Sequence, residues 1–449
     1  MMLAILAALL AQSDPRIESV EHLLGKVRRP YFWTPLAVTV RSVAGFEGDL
    51  VAQSSMGIRV VRKIRVAAGG SERVLLPAID PQKIIAGGAS IELSKDLKSP
   101  DFAVLVDARL PYSSGLPSSD TINYQRIEVG DLKELLAQGI LDACDLVLVK
   151  DASGLSLGSV RAWAAAPSES DARKAIGERL KPGEPVSLIE RRPNPVDDLW
   201  SLAPEGGWVP VKKDRAVLFA ALYAFAVFAA LVFVGRRRPW WSLASVAGVA
   251  ALGVVSFLLF FPRRHLWIAE RSCEIVPPEG DSMVVRLWFA GAATELAPAI
   301  EFPSVVKPIY QKPADAEEPL TIRLREHGCL VEGFALSPSR SLCFGSVEGR
   351  APTMRLGRSV ERPLYRAGVK IGGRARSVGD LPAGGAVPRE AVEGPSDVRL
   401  APVRPWLRFL EGDGIFGYLE RGARAAEDVG SPDLADGRRG PLFFIQRFK

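Results

Sequence analysis

The sequence has few of the residues that most often carry metal-dependent or nucleophilic chemistry. Four cysteines and three histidines occur among its 449 residues, and no two cysteines form a C-x-x-C pair. Zinc and redox sites are usually built from such closely spaced ligands. No cysteine stands in a G-x-C-x-G turn either, the kind of strand-to-helix turn that presents a nucleophile. We therefore expect neither a metal nor any other cofactor, and no cysteine-dependent catalysis.

Charged residues are absent from two apolar stretches, residues 216–235 and 240–261. Each has about the 20 residues that a helix needs to cross a bilayer. A short turn separates them and consists of Arg236, Arg237, Arg238 and Pro239. Because positively charged loops tend to stay on the cytoplasmic side, the pattern predicts a two-helix transmembrane hairpin with this turn inside.

The first residues of the chain are also apolar. Residues 1–11 read MMLAILAALLA and are followed by polar residues, which is typical of a short signal peptide. Together with the hairpin, they predict a two-pass protein of the bacterial inner (cytoplasmic) membrane, in contact with membrane lipid. Both large flanks would then be periplasmic. Whether the signal peptide is cleaved stays open.

Two soluble regions are expected before the hairpin. Residues 12–95 contain short β-rich runs broken by glycine-containing turns, which predicts a β-sandwich. Residues 96–190 predict an α/β domain, and residues 191–215 a linker. In the α/β domain, the apolar runs Phe102–Val106 and Leu146–Val149 are typical of strands buried on both faces. Two helices are predicted between and after these strands, one capped by Asp131 and one over Ser156–Ala166. This alternation of strands and helices implies a parallel sheet.

Polar side chains follow both apolar strands of this predicted sheet. Ligands of parallel sheets usually lie at the carboxyl ends of the strands. The candidate ligand-binding residues at these ends are Asp107, Arg109, Lys150, Asp151 and Ser153. The segment from Asp151 to Leu155 partly matches the D-x-S-x-S metal motif of von Willebrand A domains, but Leu155 replaces the second serine. We therefore favour structural roles over a metal site, with Asp151 capping a loop or a helix and Lys150 pairing at the sheet edge.

Residues 262–449 form a third soluble region, punctuated by glycine and proline and predicted to be β-rich. The last residues, PLFFIQRF, suggest a final docked strand. In a periplasmic compartment, Cys329 and Cys343 are candidates for a disulfide across a short loop. The sequence leaves open whether this region folds alone or packs on the first two regions.

Several stretches resemble a known bacterial group. They are YFWTPLAVTV with GFEGDL, LPSSDTINYQRIEV, and ACDLVLVKDASGLSLGSVRAWAA, within residues 29–166. With the placement of the apolar stretches, they resemble membrane proteins that carry an exported β domain and a class I glutamine amidotransferase-like α/β domain. The resemblance implies association with MoxR-type ATPases and von Willebrand A membrane proteins.

Catalytic residues of the amidotransferase class are not matched here. Active members need a cysteine at a sharp turn and a histidine that activates it. Cys144 stands between Ala143 and Asp145, just ahead of a strand. The histidines, His22, His265 and His327, lie in other regions. The α/β domain is therefore expected to be non-catalytic.

Three hypotheses for function follow from these features. The leading one is a non-enzymatic, membrane-anchored cell-envelope scaffold or protein-interaction module. The second is a hydrolase with an unrecognised site near Asp107 and Asp151, and the third is an envelope ligand sensor or transport accessory. Nucleic acid is not an expected partner, because the net charge of +6 is spread along the chain.

Overall fold

The computed structural model describes the following parts of the chain: residues 15–25, 32–93, 102–112, 116, 121–160, 162–180, 213–229, 232, 247–253, 266–277, 280–292, 295–309, 320–336, 342–356, 361–371, 374–386, 413–419 and 442–447. Most of the structure is β-sheet. The strands assemble into one four-stranded parallel sheet and into three mainly antiparallel sheets of three, seven and eight strands.

The N-terminal strands form a three-stranded antiparallel sheet in the order β1-β2-β5. Its strands are β1 (Arg16–His22), β2 (Trp33–Arg41) and β5 (Ser71–Ile79). In the central strand, Leu36 and Val38 project to one face and Ala37 to the other, and all three are buried. Both faces of this sheet are therefore covered by other parts of the protein.

A seven-stranded sheet packs against it and draws strands from both ends of the chain. Its order is β14-β17-β16-β4-β3-β6-β7. The N-terminal members are β3 (Phe46–Ser54), β4 (Ile58–Val66), β6 (Pro81–Ala86) and β7 (Ala89–Glu92). The C-terminal members are β14 (Ile300–Phe302), β16 (Leu320–Leu324) and β17 (Cys329–Glu332).

The two sets of strands meet where β16 pairs with β4 in parallel. Ile322 lies beside Val60 in this pairing, and both side chains are buried. On the same strand as Val60, Arg59, Lys63 and Arg65 are exposed, so the sheet has one apolar and one charged face. The C-terminal region therefore shares a sheet with the N-terminal region, which answers the question that the sequence left open.

A four-stranded parallel sheet follows the first β region. Its order is β11-β10-β8-β9, with β8 (Phe102–Asp107), β9 (Ile122–Ile127), β10 (Leu146–Val149) and β11 (Trp163–Ala165). The strands predicted from the two apolar runs are both present. Helix α1 (Val129–Gln138) covers one face and helix α2 (Glu169–Arg179) covers the other. Buried residues alternate between the two faces, Ala103 and Leu105 toward α1 and Val104 and Val106 toward α2.

The helix predictions in this region need two corrections. Residues 157–159 form a single 3₁₀ turn, and Trp163–Ala165 is a strand, so the helix predicted over Ser156–Ala166 is wrong. The parallel pairing of Trp163–Ala165 with β10 outweighs the local helical pattern. Asp131 does not cap α1 either. The helix begins after Glu128, and Asp131 pairs with Arg73 instead.

An eight-stranded sheet contains most of the remaining C-terminal strands. Its order is β15-β18-β13-β12-β22-β21-β19-β20. The strands are β12 (Leu266–Val276), β13 (Ser282–Ala292), β15 (Lys307–Pro308), β18 (Leu342–Arg350), β19 (Leu364–Ile371), β20 (Arg374–Leu381), β21 (Gly414–Tyr418) and β22 (Leu442–Arg447). The docked strand predicted at the end of the chain is present as β22, which pairs in parallel with β12.

The parallel sheet is packed closely against this eight-stranded sheet. Gly139 ends α1 with a left-handed φ of 66°, and a Cβ atom there would overlap the carbonyl oxygen of Val347 in β18. A Cβ atom on Gly158, in the 3₁₀ turn, would likewise overlap the carbonyl oxygen of Ser282 in β13. Only glycine allows the backbones to come this close. One hydrophobic cluster consequently runs through the first β region, α1 and the C-terminal strands.

The predicted transmembrane hairpin is wrong. Helix α3 (Lys213–Ala229) has 17 residues and begins with Lys213, Asp214 and Arg215, so its apolar part is shorter still. Of the second apolar stretch, the structure describes residues 247–253, which are helical. Among the described residues, no helix is both long enough and apolar enough to span a membrane. The fold class that included a hairpin and the two-pass inner-membrane localisation are corrected accordingly. Residues 1–11 and the arginine turn Arg236, Arg237 and Arg238 lie outside the described residues.

Candidate functional site

The candidate site lies at the carboxyl edge of the parallel sheet. Strand β9 lies on one side of β8 in the sheet. The chain then crosses β8 to form β10 on its other side, and continues outward to β11. The direction of winding therefore reverses between β8 and β10. In open α/β sheets, this reversal opens a crevice outside the strand ends, where ligands usually bind. The residues that follow β8 and β10 lie at this edge of the sheet.

Asp107 ends β8 and has a fully buried side chain. The side chain of Arg109 donates to both carboxylate oxygens, with an Nη2···Oδ2 distance of 2.7 Å and an Nε···Oδ1 distance of 3.0 Å. The backbone N–H groups of Arg109 and Lys150 donate to the same carboxylate, at 2.9 and 3.1 Å. Every donor comes from the chain itself, so these hydrogen bonds join the residues that follow β8 to the residue that follows β10.

These contacts determine the charge of Asp107. Burial raises its pKa, but the hydrogen bonds from Arg109 and Lys150 lower it more, so the net pKa lies below its ordinary value. A carboxylate held ionised by four donors is a poor general base, because a base must be able to take up a proton near the working pH. Asp107 therefore links β8 to β10 electrostatically.

Asp151 and Ser153 form a small exposed turn after β10. The Ser153 N–H donates to Asp151 Oδ1 at 2.9 Å, and the Ser153 hydroxyl donates to Asp151 Oδ2. These bonds lower the pKa of Asp151, and the positive charge of Arg109 lowers it further. Leu155, the residue that departs from the metal motif, is buried in the core. Across the described ranges, no three His, Cys, Asp or Glu residues are grouped closely enough to hold a metal ion.

Two further cations lie at this edge and were missed from the sequence. Arg126 is the next-to-last residue of β9, and its guanidinium donates to the Leu110 carbonyl at 2.5 Å. Lys133, on α1, places its Nζ 3.9 Å from the point that a Cβ atom on Gly154 would occupy. The strand that carries Arg126 reads INYQRI, and its polar residues interrupt the continuous apolar pattern that marks the neighbouring strands β8 and β10.

The cysteines and histidines do not form a second site in the described structure. All four cysteines are buried free thiols, so the candidate disulfide between Cys329 and Cys343 is wrong. Cys329 lies in the seven-stranded sheet and Cys343 in the eight-stranded one, and burial raises the pKa of Cys329 to about 12. Cys144 is buried, and its thiol donates to the Leu146 carbonyl at 3.3 Å.

The described histidines lie elsewhere. His22 is on β1, where burial lowers its pKa, and His327 is exposed between β16 and β17. His265 lies outside the described residues. Cys144 immediately precedes β10 of the parallel sheet, whereas His22 belongs to the three-stranded sheet and His327 lies between two strands of the seven-stranded sheet.

No family model matches the chain, and no curated protein is similar enough to count as a relative. The interpretation of the site therefore rests on its own geometry.

Proposed function

We propose that this protein is a non-enzymatic scaffold that presents surfaces to partner proteins, and that its amidotransferase-like α/β unit has no working catalytic group. The observation that carries this proposal is the state of Asp107. This buried carboxylate occupies the position where the fold would bind a substrate, and it is bound by Arg109 and the Lys150 N–H. Its environment suits a structural anchor, because no acceptor capacity is left for a reacting group.

The way the sheets are joined supports the same proposal. The β4–β16 pairing and the glycine contacts at Gly139 and Gly158 tie the N-terminal, α/β and C-terminal regions together. A scaffold has to hold distant surfaces in a constant arrangement, and buried contacts of this kind limit relative motion. The exposed face of β4, with Arg59, Lys63 and Arg65, is a charged surface available to a partner.

The partners that we propose are proteins. The sequence resemblance implies von Willebrand A proteins and a MoxR-type ATPase, and these are the first candidates to test. Nucleic acid is not proposed.

The experiment combines crosslinking with an activity screen on the full chain. Purified candidate partners are mixed with the protein, and crosslinked residues are identified by mass spectrometry. In parallel, esters, amides, phosphoesters and glutamine are tested as substrates. We expect crosslinks that map to the charged face of the seven-stranded sheet and no turnover of any substrate. Turnover that is lost in a folded Asp107→Asn variant would overturn the proposal and favour the hydrolase hypothesis.

A further inference from the structure

Exposed apolar side chains are concentrated on two helical segments, α3 and residues 247–253, together called the helix pair. Leu222, Phe225 and Phe228 of α3 and Leu252 of the second segment are each 60–70% exposed. Elsewhere in the described residues, apart from Val232 just beyond α3, Val43 is the one large hydrophobic side chain that is exposed. The helix pair is therefore an apolar surface that the rest of the described structure leaves uncovered.

The two segments of the helix pair pack against each other. A Cβ atom on Gly253 would overlap the ring of Tyr223, so this ring lies directly against the backbone of the second segment. The residues from Ala220 to Phe225 are exposed one after another. Because successive residues of a helix point about 100° apart, α3 exposes uncharged, mostly apolar side chains in most directions around its axis.

This surface is large for a single chain in water. A fully accessible aromatic side chain presents about 150–250 Å², so the exposed fractions of Tyr223, Phe225 and Phe228 amount to about 300 Å². The largest apolar patch on a typical monomer covers about 300–600 Å². The three aromatic residues alone reach that range, before Leu222 and Leu252 are added. A helix that is apolar on all sides is stable when it is covered, so this surface needs an occupant.

We propose that the occupant is a second copy of this chain, whose helix pair packs on the first about a twofold axis. Residues 216–229 and 247–253 carry no charge, so they offer nothing that a charged partner would recognise. An apolar surface is complementary to an identical one. Homodimers close in this way, with the same patch on both subunits, and their interfaces are more apolar than those between different proteins.

The size and composition of the helix pair suit this arrangement. With its leucines included, the exposed area approaches the roughly 800 Å² that each partner gives to a standard interface. Ala220 and Ala224 are exposed and four residues apart, so they lie on one side of α3 and let a second helix approach closely. A helix that lies on a bilayer keeps a charged or polar face toward water instead, and residues 220–229 contain no charged side chain.

The dimer presents two copies of every surface of the scaffold. The inference goes beyond the proposed scaffold function and does not rest on it. Crosslinks to partner proteins and the mass of the purified chain in solution are separate measurements, so either result can fail without the other.

Sedimentation velocity on the full chain, over about a hundredfold range of protein concentration, tests the inference. We expect a species of twice the mass of the chain that dissociates on dilution. Phe225→Glu places one charge from each copy in the apolar interface, so the dimer dissociation constant should rise by about 100-fold or more. The matched control is Val43→Glu, which places the same charge at an exposed apolar position between β2 and β3 and should leave the constant unchanged.

A crosslink locates the contact. Because the four native thiols are buried, Leu222→Cys supplies the one exposed thiol, and a short bis-maleimide should join two copies through it. Val43→Cys, which is equally accessible to the reagent, should give no crosslinked dimer. Circular dichroism shows whether each variant is folded, and Phe225→Ser is the second variant if Phe225→Glu is not.

The proposal is overturned if the chain stays monomeric over the whole concentration range, or if Val43→Glu weakens the dimer as much as Phe225→Glu. It is also overturned if a dimer forms but Leu222→Cys gives no crosslink, because the copies then meet elsewhere. Flotation with phosphatidylcholine vesicles tests the other occupant. Flotation of the chain with the vesicles that is lost in Phe225→Glu would identify a bilayer surface as the occupant and would overturn the proposal as well.

Discussion

Lys307 and Asp142 are 165 residues apart in the chain, and they form an ion pair whose side chains are only 4% and 15% exposed. The other oxygen of Asp142 accepts the backbone N–H of Trp33 at 2.9 Å. The ring of Phe32 lies 5.1 Å from the Lys307 ammonium. Asp142 thus joins β2, the loop after α1 and β15, which belong to three different parts of the sequence.

The ion pair should contribute strongly to stability, because loss of one partner leaves the other charge buried. We expect Asp142→Asn to lower the free energy of unfolding by about 3 kcal/mol. The asparagine oxygen can still accept the Trp33 N–H, so the change isolates the charge. Urea unfolding followed by tryptophan fluorescence measures the effect.

The double variant Asp142→Asn, Lys307→Met is the control for this prediction. It removes both charges, and we expect it to be more stable than Asp142→Asn alone. A single variant within about 0.5 kcal/mol of the unmodified protein would show that Lys307 reaches water once its partner is gone.

The contact between Gly139 and Val347 should tolerate no side chain. Gly139→Ala adds a Cβ atom that overlaps the Val347 carbonyl, at a φ of 66° that L-residues rarely adopt. We expect a loss of more than about 2 kcal/mol in the free energy of unfolding. The matched control is Gly130→Ala in the same helix, where a Cβ atom meets nothing within 4 Å. That change should be neutral or stabilise by up to about 1 kcal/mol; equal effects of the two substitutions would contradict the packing described here.

Glu274 makes stability depend on pH in the acid range. Its side chain is fully buried. Burial raises its pKa, and the hydrogen bonds from Thr353 and Ser282 and the positive charge of Arg350 lower it more. A carboxylate whose folded pKa is below its unfolded value of about 4.3 stabilises the fold above that pH. This contribution is lost as the pH falls through the folded pKa.

Urea unfolding between pH 7 and pH 3 checks this prediction with Glu274→Gln. We expect the variant to be about 1–3 kcal/mol less stable at pH 7, because its buried donors lose a charged acceptor. The difference from the unmodified protein should shrink as the pH falls. Glu301→Gln, which removes an exposed ion pair with Arg325, should change stability by less than about 1 kcal/mol. A constant difference at every pH would contradict a role for the Glu274 charge.

The thiols should be present but unreactive in the folded protein. All four cysteines are buried and free, and burial raises the pKa of Cys273, Cys329 and Cys343. Since the thiolate is the reactive form, we expect very slow modification by a thiol reagent under native conditions. In denaturant all four should react, even without a reductant. Detection of only two reactive thiols in the unfolded chain would instead support a disulfide.

The parts of the fold that could be predicted from sequence are those with a local signal. The strands over Phe102–Asp107 and Leu146–Val149 are continuous apolar runs, as strands covered on both faces must be. Strand β9 has mixed polarity and was missed, and Arg126 with it. The residues after β8 and β10 were expected at one edge, and the structure places them there. The hydrogen bonds of Asp107 with Arg109 and Lys150 depend on side-chain geometry, which the sequence does not reveal.

The division of the chain into regions was harder to predict. Parallel pairing between β4 and β16 joins residues that are distant in sequence, and no periodic pattern signals such a partner. The hairpin prediction failed for a different reason. An apolar run shows which residues avoid water, but it does not fix where a helix begins and ends. Helix α3 begins with three charged residues and ends at Ala229, so its apolar part is too short to span a membrane.

The shared sheet predicts that the two halves of the chain stay together after the backbone is cut. A site for a specific protease is inserted within residues 181–212, and the purified protein is cleaved. We expect the two fragments to elute together in gel filtration, because β16 fills the place beside β4 and the Asp142–Lys307 pair spans the cut. Ile322→Asp, in the buried register position beside Val60, should weaken the association of the fragments, which the Gly139 and Gly158 contacts still join. The neighbouring Thr321→Asp lies beside Arg59 and should weaken it less. Equal weakening by the two variants, or separation of the unmodified fragments, would show that the pairing does not hold the halves together.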